Sequence, residues 1–600
     1  MNRIACCVLF LAISATAAAQ TSSSNQKTSR SVSTSPLCTH QNAIDTLQQQ
    51  IASSKTFNNP VQRIDVLLRS ADLLWPYERD KSLATFLEAF ELAKQHFKEN
   101  GDNDKQDSKF HRTSVPDQRY KVIAAFAKRA PNEAKKLSEQ IMADETADSD
   151  NPQSNSREAR RKTDEKLLTL AHSLASTDQA NSIKFARASL SYPASLWLPL
   201  YLYELSKANK LAADQFYEEA LQAYASAPMD EYLYLSSYPF GNSREVGEMP
   251  GWMIYKLPEG FFPNVRLQRL FVQHLLTRVQ AALQAPIDAV STNRFPDSAQ
   301  MWMALSRLEN PISQSLADLA PATTEAKDKL FALLSAPNQK QVTSTIEETN
   351  RPKLTFDEQV EAADKQTDVG RRDMQLTFAI TGARDVPLDK VVAAIEKISD
   401  ESVRQPLLSW LYFFRSQSLI AEKKLEEAHE LAAKTTELDQ RAYLYARIAE
   451  ELLKESKDQT RVREILNELG EATSKAPKTI VTARALLALA NFYTRIDANR
   501  GIEELAHAVK AINDLESPDF SVQYVTIKIE GKTFGSYSGF STPGFDPQTV
   551  FSEVAKSDFD GSLIQAATLT DKVLRSLTTL AVIEPCLEVV PAIKPQKKKQ

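Results

Sequence analysis

A repeated pattern of paired amphipathic helices is the feature that most constrains the fold of this chain. Leu407–Lys434, Tyr443–Thr473 and Ala483–Asn513 each contain two runs of apolar residues at spacings of three and four, joined by a short polar turn. One such helix pair cannot bury its apolar stripe alone and needs neighbours on both sides. The period of roughly 35 to 40 residues therefore predicts a mainly α fold built of stacked helix pairs.

The spacing and the small inner residues Ala449 and Ala490 resemble those of tetratricopeptide-like repeats. This resemblance implies an α-solenoid of antiparallel helical hairpins and transfers no functional residue. The repeat signature is incomplete, because Trp410 is the only Trp in the three segments and a closing Pro occurs once, as Pro477. The whole chain also resembles the uncharacterised secreted helical-repeat proteins of soil bacteria, a resemblance that implies no activity.

The composition favours helices and an ordinary acidic surface. The 600 residues include only 14 Gly, fewer than all-β or dinucleotide-binding architectures usually need. The formal net charge is -5, and no basic stripe of the kind that binds nucleic acid is present. The length exceeds what one hydrophobic core normally serves, so we expect several units or one extended array.

The N-terminal segment Met1–Ala19 has the features of a secretory signal peptide. Arg3 precedes an apolar run from Ile4 to Ile13, and Ala17 to Ala19 supply the small residues of a cleavage site. The run is shorter than the ~20 residues that span a bilayer, and no later segment is apolar enough to do so. We therefore expect a bacterial protein that is exported to the periplasm or secreted.

The pattern divides the chain into consecutive parts. We expect a signal peptide at 1–19, a flexible linker at 20–40, an N-terminal helical-repeat array at 41–338 with an aromatic insertion at 229–264, a polar linker at 339–372, a C-terminal helical-repeat array at 373–517, a β-hairpin with a Gly-bearing loop at 518–547, C-terminal helices at 548–590 and a basic tail at 591–600.

Removal of the signal peptide leaves two Cys residues, Cys38 and Cys586, one near each end. An even pair in an oxidising compartment is a candidate disulfide. A disulfide needs Cα atoms within about 7 Å, whereas helices stacked roughly 8 to 10 Å apart would separate the ends of an open array. The two residues therefore either pair through a curled array or a returning N-terminal segment, or remain isolated thiols.

The aromatic insertion interrupts the helical pattern and is too long for an ordinary loop. It holds four Gly residues together with many aromatic residues. It is either an aromatic binding surface on a rigid scaffold or a folded insertion whose rings pack onto the helices. The candidate partner-binding residues are Tyr238, Phe240, Trp252, Tyr255 and Phe262.

A second Gly-bearing segment predicts a β-hairpin. Val525, Ile527 and Ile529 alternate with polar residues, and a Glu-Gly-Lys turn at 530–532 follows before a second strand. Such a β-hairpin either offers its edge to a partner peptide or covers the open end of the array.

No catalytic, cofactor-binding or metal-binding residue is predicted. Gly531-Lys532-Thr533 lacks the upstream Gly of a phosphate-binding loop, and His429-Glu430 lacks the second His of a zinc-protease helix because residue 433 is Ala433. We therefore expect a non-enzymatic scaffold that binds a protein or peptide, with no nucleic acid, cofactor or small-molecule ligand. The alternatives are a helical hydrolase acting on envelope polysaccharide or peptide, and a purely structural repeat protein.

Overall fold

The computed structural model describes residues 35–101, 105–108, 111–113, 117–147, 157–242, 255, 257–284, 296–350, 354–455, 458–520, 524–532 and 534–587. The predicted signal peptide, the basic tail at 591–600 and Trp252 lie outside these ranges. The described chain is mainly helical, as the sequence predicts, and carries a small antiparallel β-hairpin near its C-terminal end.

The first part of the chain contains fifteen labelled helices and one short antiparallel strand pair among its described residues. They are α1 His40–Ser54, α2 Pro60–Leu74, α3 Arg79–Asn100, β1 Lys105–Ser108, β2 His111–Thr113, α4 Gln118–Ala127, α5 Pro131–Ala147, α6 Arg157–Leu174, α7 Gln179–Ser189, α8 Trp197–Ala208, α9 Lys210–Ala223, α10 Met229–Tyr232, a 3-10 turn Leu233–Ser236, α11 Ser237–Phe240, α12 Val265–Gln284, α13 Asp297–Ser315, α14 Ala320–Leu333 and α15 Ala336–Asn350.

The second part contains the remaining helices and the predicted β-hairpin. They are α16 Phe356–Asp364, α17 Val369–Gly382, α18 Leu388–Glu396, α19 Glu401–Ala421, α20 Leu425–Ala432, α21 Leu438–Glu455, α22 Gln459–Ser474, α23 Ile480–Thr494, α24 Ala498–Asn513, β3 Tyr524–Glu530, β4 Gly535–Ser541, a 3-10 turn Pro543–Phe545, α25 Pro547–Ala555, α26 Phe559–Thr568 and α27 Lys572–Leu587.

The three helix pairs that the sequence predicts are present as α19 with α20, α21 with α22, and α23 with α24. Their inner positions are buried as the spacing requires, including Ala449 and Ala490, which are both fully enclosed. The expected C-terminal helices are also present, as α25, α26 and α27.

The segment 339–372 differs from the expected polar linker because most of it is helical. It contains most of α15, all of α16 and the start of α17. The Thr355 hydroxyl accepts a hydrogen bond from the Glu358 backbone N–H, and the Glu358 carboxylate accepts one in return from Thr355. This capping box begins α16. A segment rich in polar residues can be helical when each helix buries only a narrow apolar stripe.

Asp or Asn residues begin the second helix of several pairs. The Asp497 carboxylate accepts a hydrogen bond of 3.2 Å from the Arg500 backbone N–H at the start of α24. Asp178, Asp458 and Asp558 cap α7, α22 and α26 in the same way. An acidic N-cap accepts a hydrogen bond from an otherwise unpaired N–H and interacts favourably with the helix dipole. The N-cap therefore fixes the residue at which the second helix of the pair begins.

The first helices of the pairs contact one another in a continuous row that passes through both ends of the chain. In spatial order this first-helix row is α19, α21, α23, α25, α27, α2, α4, α6 and α8. Each member also packs against a second helix, for example α21 against α22 and α6 against α7. The step from α27 to α2 continues the row across the two ends of the chain.

The helices α27 and α1 form one helix pair, called here the terminal pair. α1 packs on α27, and α2 packs on both. One core joins buried residues from the two ends of the chain, among them Leu47, Leu74, Val550 and Ile583. The pair is assembled from the first and last helices of the described residues and not from two helices joined by a turn.

A disulfide between Cys38 and Cys586 lies where other pairs have their connecting turn. Cys586 is in the last turn of α27, Cys38 is two residues before α1, and their Cα atoms are 5.2 Å apart. The first of the two alternatives left open by the sequence, a bond between the two residues, is therefore the one observed, because α27 packs between α2 and α25. The Tyr77 hydroxyl donates to the Leu587 carbonyl at 2.5 Å, which further fastens the end of α27 to the N-terminal helices.

Candidate binding surfaces

Most of the described aromatic residues proposed as a binding surface belong to the core. Tyr238 has no exposed area, and Tyr255 and Phe240 are exposed by only 2% and 7%. The Tyr238 and Tyr255 rings lie 5.5 and 6.3 Å from the ring of Tyr203 in α8, and Tyr238 lies 5.7 Å from Tyr217 in α9. For these residues the second alternative therefore holds, because their rings pack onto the helices, and they do not form the exposed binding surface proposed for them.

The polar groups of this aromatic cluster are satisfied within the chain. The Tyr238 hydroxyl donates to Asp214 at 2.9 Å, the Asn264 amide donates to the same carboxylate at 2.8 Å, and the Lys210 ammonium does so at 2.9 Å. Lys210 also lies 4.8 Å from the centre of the Phe261 ring. Burial, together with the Asp214 carboxylate, raises the pKa of Tyr238 well above its ordinary value. The network anchors the insertion to α9.

Phe262 is the exception among the predicted binding residues that the structure describes. Its side chain is 76% exposed. Leu211 in α9 and Val265 in α12 are also exposed, by 69% and 51%, and these two helices contact each other. Trp252 lies outside the described residues. Among the described residues of the insertion, the exposed apolar surface is therefore small.

The β-hairpin packs on two neighbouring helices of the first-helix row. β3 packs on α19 and α21, and the 3-10 turn Pro543–Phe545 packs on α23. The side chains of Val525, Ile527 and Ile529 point into this contact and are buried. The alternation that the sequence shows thus corresponds to one face of a strand held against helices.

Aromatic contacts fix the β-hairpin to the helices beneath it. The Phe540 ring in β4 lies 4.9 Å from Phe413, 5.6 Å from Phe414 and 6.0 Å from Tyr443. Spacings of this size are favourable for aromatic pairs and add to the area that they bury. The first-helix row therefore presents an apolar surface that accommodates extended backbone.

Phe378 extends this apolar surface beyond the β-hairpin. It lies in α17, its ring is 6.3 Å from that of Phe534 at the turn of the β-hairpin, and its side chain is 58% exposed. Sequence reasoning missed it, because a single Phe on an amphipathic helix is normally assigned to the buried stripe. Its exposure depends on where the β-hairpin packs, which helical periodicity does not encode.

Asp164 is the described carboxyl group with the most unusual environment. Its side chain in α6 is fully buried, and both oxygens lie within the protein without a well-formed hydrogen bond. Burial raises the pKa of Asp164 to about 8, although the nearby hydroxyls of Ser195 and Ser189 partly oppose the shift. A carboxyl with no exposed area gives a substrate no access in this conformation, so Asp164 does not supply the acid that a hydrolase needs.

The described side chains contain no group of three or more His, Cys, Asp or Glu residues arranged to hold a metal ion. His429, which begins the incomplete zinc-protease motif, instead lies 2.9 Å from Glu468 on a neighbouring helix. Over the same described ranges, every helix is too short or too polar to cross a membrane.

A shallow cleft of about 300 Å³ opens beside the terminal pair. This volume is at the lower end of the roughly 300–1,000 Å³ of small-molecule sites. Its walls come from α1, α26 and α27 and the residues that precede α1. They are Leu37, Asn42, Ala43, Asp45, Thr46, Gln49, Phe559, Leu563, Ile583 and Cys586.

The chain matches no protein family and no curated protein.

Proposed function

We propose that this chain is an exported α-solenoid scaffold that binds an extended segment of another protein or peptide on its first-helix row. The observation that carries the proposal is the position of the β-hairpin. The chain lays its own extended strand, with buried Val525, Ile527 and Ile529, across α19 and α21. A helical surface that holds one extended segment has the apolar character and the shape to hold another.

The packing of the helices supports the solenoid part of the proposal. Stacked helix pairs expose a long continuous surface made by equivalent helices, and repeat proteins commonly bind partners on such surfaces. Fully buried Ala485 in α23 and Ala442 in α21 allow neighbouring first helices to approach closely. The proposal of export rests on the predicted signal peptide at Met1–Ala19.

Selection from a displayed library of random peptides tests the proposal with the full exported chain. We expect enriched peptides to contain β-branched and aromatic residues at alternate positions, as strands that cover an apolar surface do. Their dissociation constants are then measured by fluorescence anisotropy. Failure to enrich any peptide above a library exposed to an unrelated helical protein would overturn the proposal.

Two exposed Phe residues give a matched pair of variants for this experiment. Phe378→Ala removes an accessible ring beside the β-hairpin, whereas Phe262→Ala removes a still more exposed ring from the aromatic insertion. We expect Phe378→Ala to weaken peptide binding about tenfold, the effect of losing roughly 1.4 kcal/mol of contact energy. Phe262→Ala should leave binding unchanged. The opposite result would place the binding surface on the insertion.

A further inference from the structure

The β-hairpin has a regular register that identifies its outer backbone groups. Its strands pair from Tyr524 opposite Ser541 to Glu530 opposite Gly535 without a bulge, and the Gly531 N–H donates to the Phe534 carbonyl at 3.0 Å. Residues that exchange hydrogen bonds alternate with residues that do not. The backbone groups at 536, 538 and 540 therefore bond to β3, and those at 535, 539 and 541 point away from it.

The outer edge of β4 carries little that would hinder another strand. Gly535, Gly539 and Ser541 are exposed. Within the described ranges, no backbone hydrogen bond joins these three residues to an element outside the β-hairpin. The strand contains no charged residue and no Pro. Gly within a strand often marks a place where another backbone approaches closely.

The outer edge of β3 differs in the way that protects edges from pairing. Its outward-facing residues include Lys528 and Glu530, whose charged groups lie 2.8 Å apart. Charged side chains are a usual means of keeping an edge strand unpaired. The two edges of one β-hairpin are therefore unequal, and β4 is the accessible one.

The helices beside β4 indicate the kind of strand that would fit. An added strand lies about 4.8 Å from its neighbour. Its inward side chains would lie next to Phe540 and continue the apolar contact that Phe540 makes with Phe414. Phe378 offers a further exposed apolar contact near the turn of the β-hairpin. Uncharged β4 selects neither sign of charge, so backbone hydrogen bonds and alternate apolar side chains carry the recognition.

The geometry points to the outer edge of β4 as the docking site for an extended peptide of another protein, which adds as a third strand and turns apolar side chains toward α17 and α19. This inference rests on the proposed function and specifies how the partner binds. Its chemical requirement is an extended segment with free backbone amides and an apolar residue at every second position.

Gly539 and Thr526 lie opposite each other in the β-hairpin and give a matched pair of variants, one on each outer edge. Gly539→Pro removes the outward N–H of β4, whereas Thr526→Pro removes the outward N–H of β3 directly opposite. Pro is tolerated at edge positions that bond to no neighbour. We expect Gly539→Pro to weaken the binding of a library-selected peptide at least about tenfold and Thr526→Pro to change it less than about twofold. Circular dichroism and thermal unfolding confirm that both chains fold.

A second measurement modifies the peptide and keeps the protein native. Peptides that are N-methylated at alternate amides should lose binding in one of the two registers only, because a strand presents every second N–H to its neighbour. Equal binding of both methylated peptides, or equal effects of the two Pro variants, would overturn the edge site while leaving peptide binding intact. A dimer that forms in proportion to concentration and competes with the peptide would assign the edge to a second copy. Absence of any bound peptide would instead reject the proposed function.

Discussion

The buried carboxyl of Asp164 links the stability of the chain to pH. Burial raises the pKa of Asp164 to about 8 from its usual 3.8, so the folded chain keeps a proton that the unfolded chain releases. The stabilising contribution is complete below pH 3.8 and is lost as the pH rises toward about 8. Each unit of pKa difference corresponds to about 1.4 kcal/mol, and several kcal/mol should be lost over this interval.

Asp164→Asn should flatten this pH dependence. The amide is nearly the same size and stays neutral, so the free energy of unfolding near pH 8 should exceed that of the native chain. Urea unfolding across pH 4 to 8 measures both slopes. Asp178→Asn, at the N-cap of α7 where Asn also caps, is the matched control and should keep the native slope. An unchanged pH dependence of the unfolding free energy in Asp164→Asn would contradict the link between this carboxyl and stability.

The contrast between Tyr238 and Phe262 tests which aromatic residues are structural. Tyr238→Ala leaves a cavity and deprives Asp214 of a donor, so we expect a loss of about 3 to 5 kcal/mol in the free energy of unfolding. Phe262→Ala removes an exposed ring and should change the stability by less than about 0.5 kcal/mol. Similar losses in both variants, measured by urea unfolding, would contradict their different burial.

At the scale of elements, the capping residues that separate paired helices should each contribute measurably. Asp497→Ala removes the acceptor for the Arg500 N–H at the start of α24 and should cost about 1 kcal/mol. Asp497→Asn keeps a capping oxygen and should cost only a few tenths of a kcal/mol. Amide exchange in the first turn of α24 gives the local measurement, and equal exchange in both variants would show that the cap contributes nothing.

The helix pairs could be predicted from sequence, because a helix repeats its apolar face within a few residues. The strands of the β-hairpin followed from alternation at Val525, Ile527 and Ile529 for the same reason. The sequence left open whether Tyr238 is buried or exposed, since its partners in α8 and α9 come from other parts of the chain. Local periodicity also does not show that β3 packs on α19 and α21.

At the scale of the whole molecule, the terminal pair joins the two parts of the first-helix row, and a disulfide links its two helices. Its two cysteines are 548 residues apart in sequence, so the bond greatly restricts the unfolded chain. Replacing both Cys38 and Cys586 with Ser should lower the free energy of unfolding by about 2 to 5 kcal/mol. Thermal unfolding of the native chain with reductant should show the same shift, and no shift in either case would mean that helix packing alone holds the pair.

A circular permutant separates the disulfide from the pairing that it supports. A short polar turn joins residue 587 to residue 38, both Cys residues are replaced by Ser, and the new ends lie at 351–353 between α15 and α16. Because α27 and α1 pack as a helix pair, we expect this chain to fold with a melting temperature near that of the native protein and independent of reductant. An unfolded permutant would contradict the conclusion that α27 and α1 pack as a helix pair.

The central claim is that the first-helix row and the β-hairpin on it form the surface that binds an extended polypeptide. Amide hydrogen exchange of the full chain, with and without a library-selected peptide, tests it most directly. We expect added protection at 535–541, in α19 beneath this strand, and in α17 beside the turn of the β-hairpin. Protection confined to the aromatic insertion near Phe262, or to the cleft beside the terminal pair, would contradict the claim.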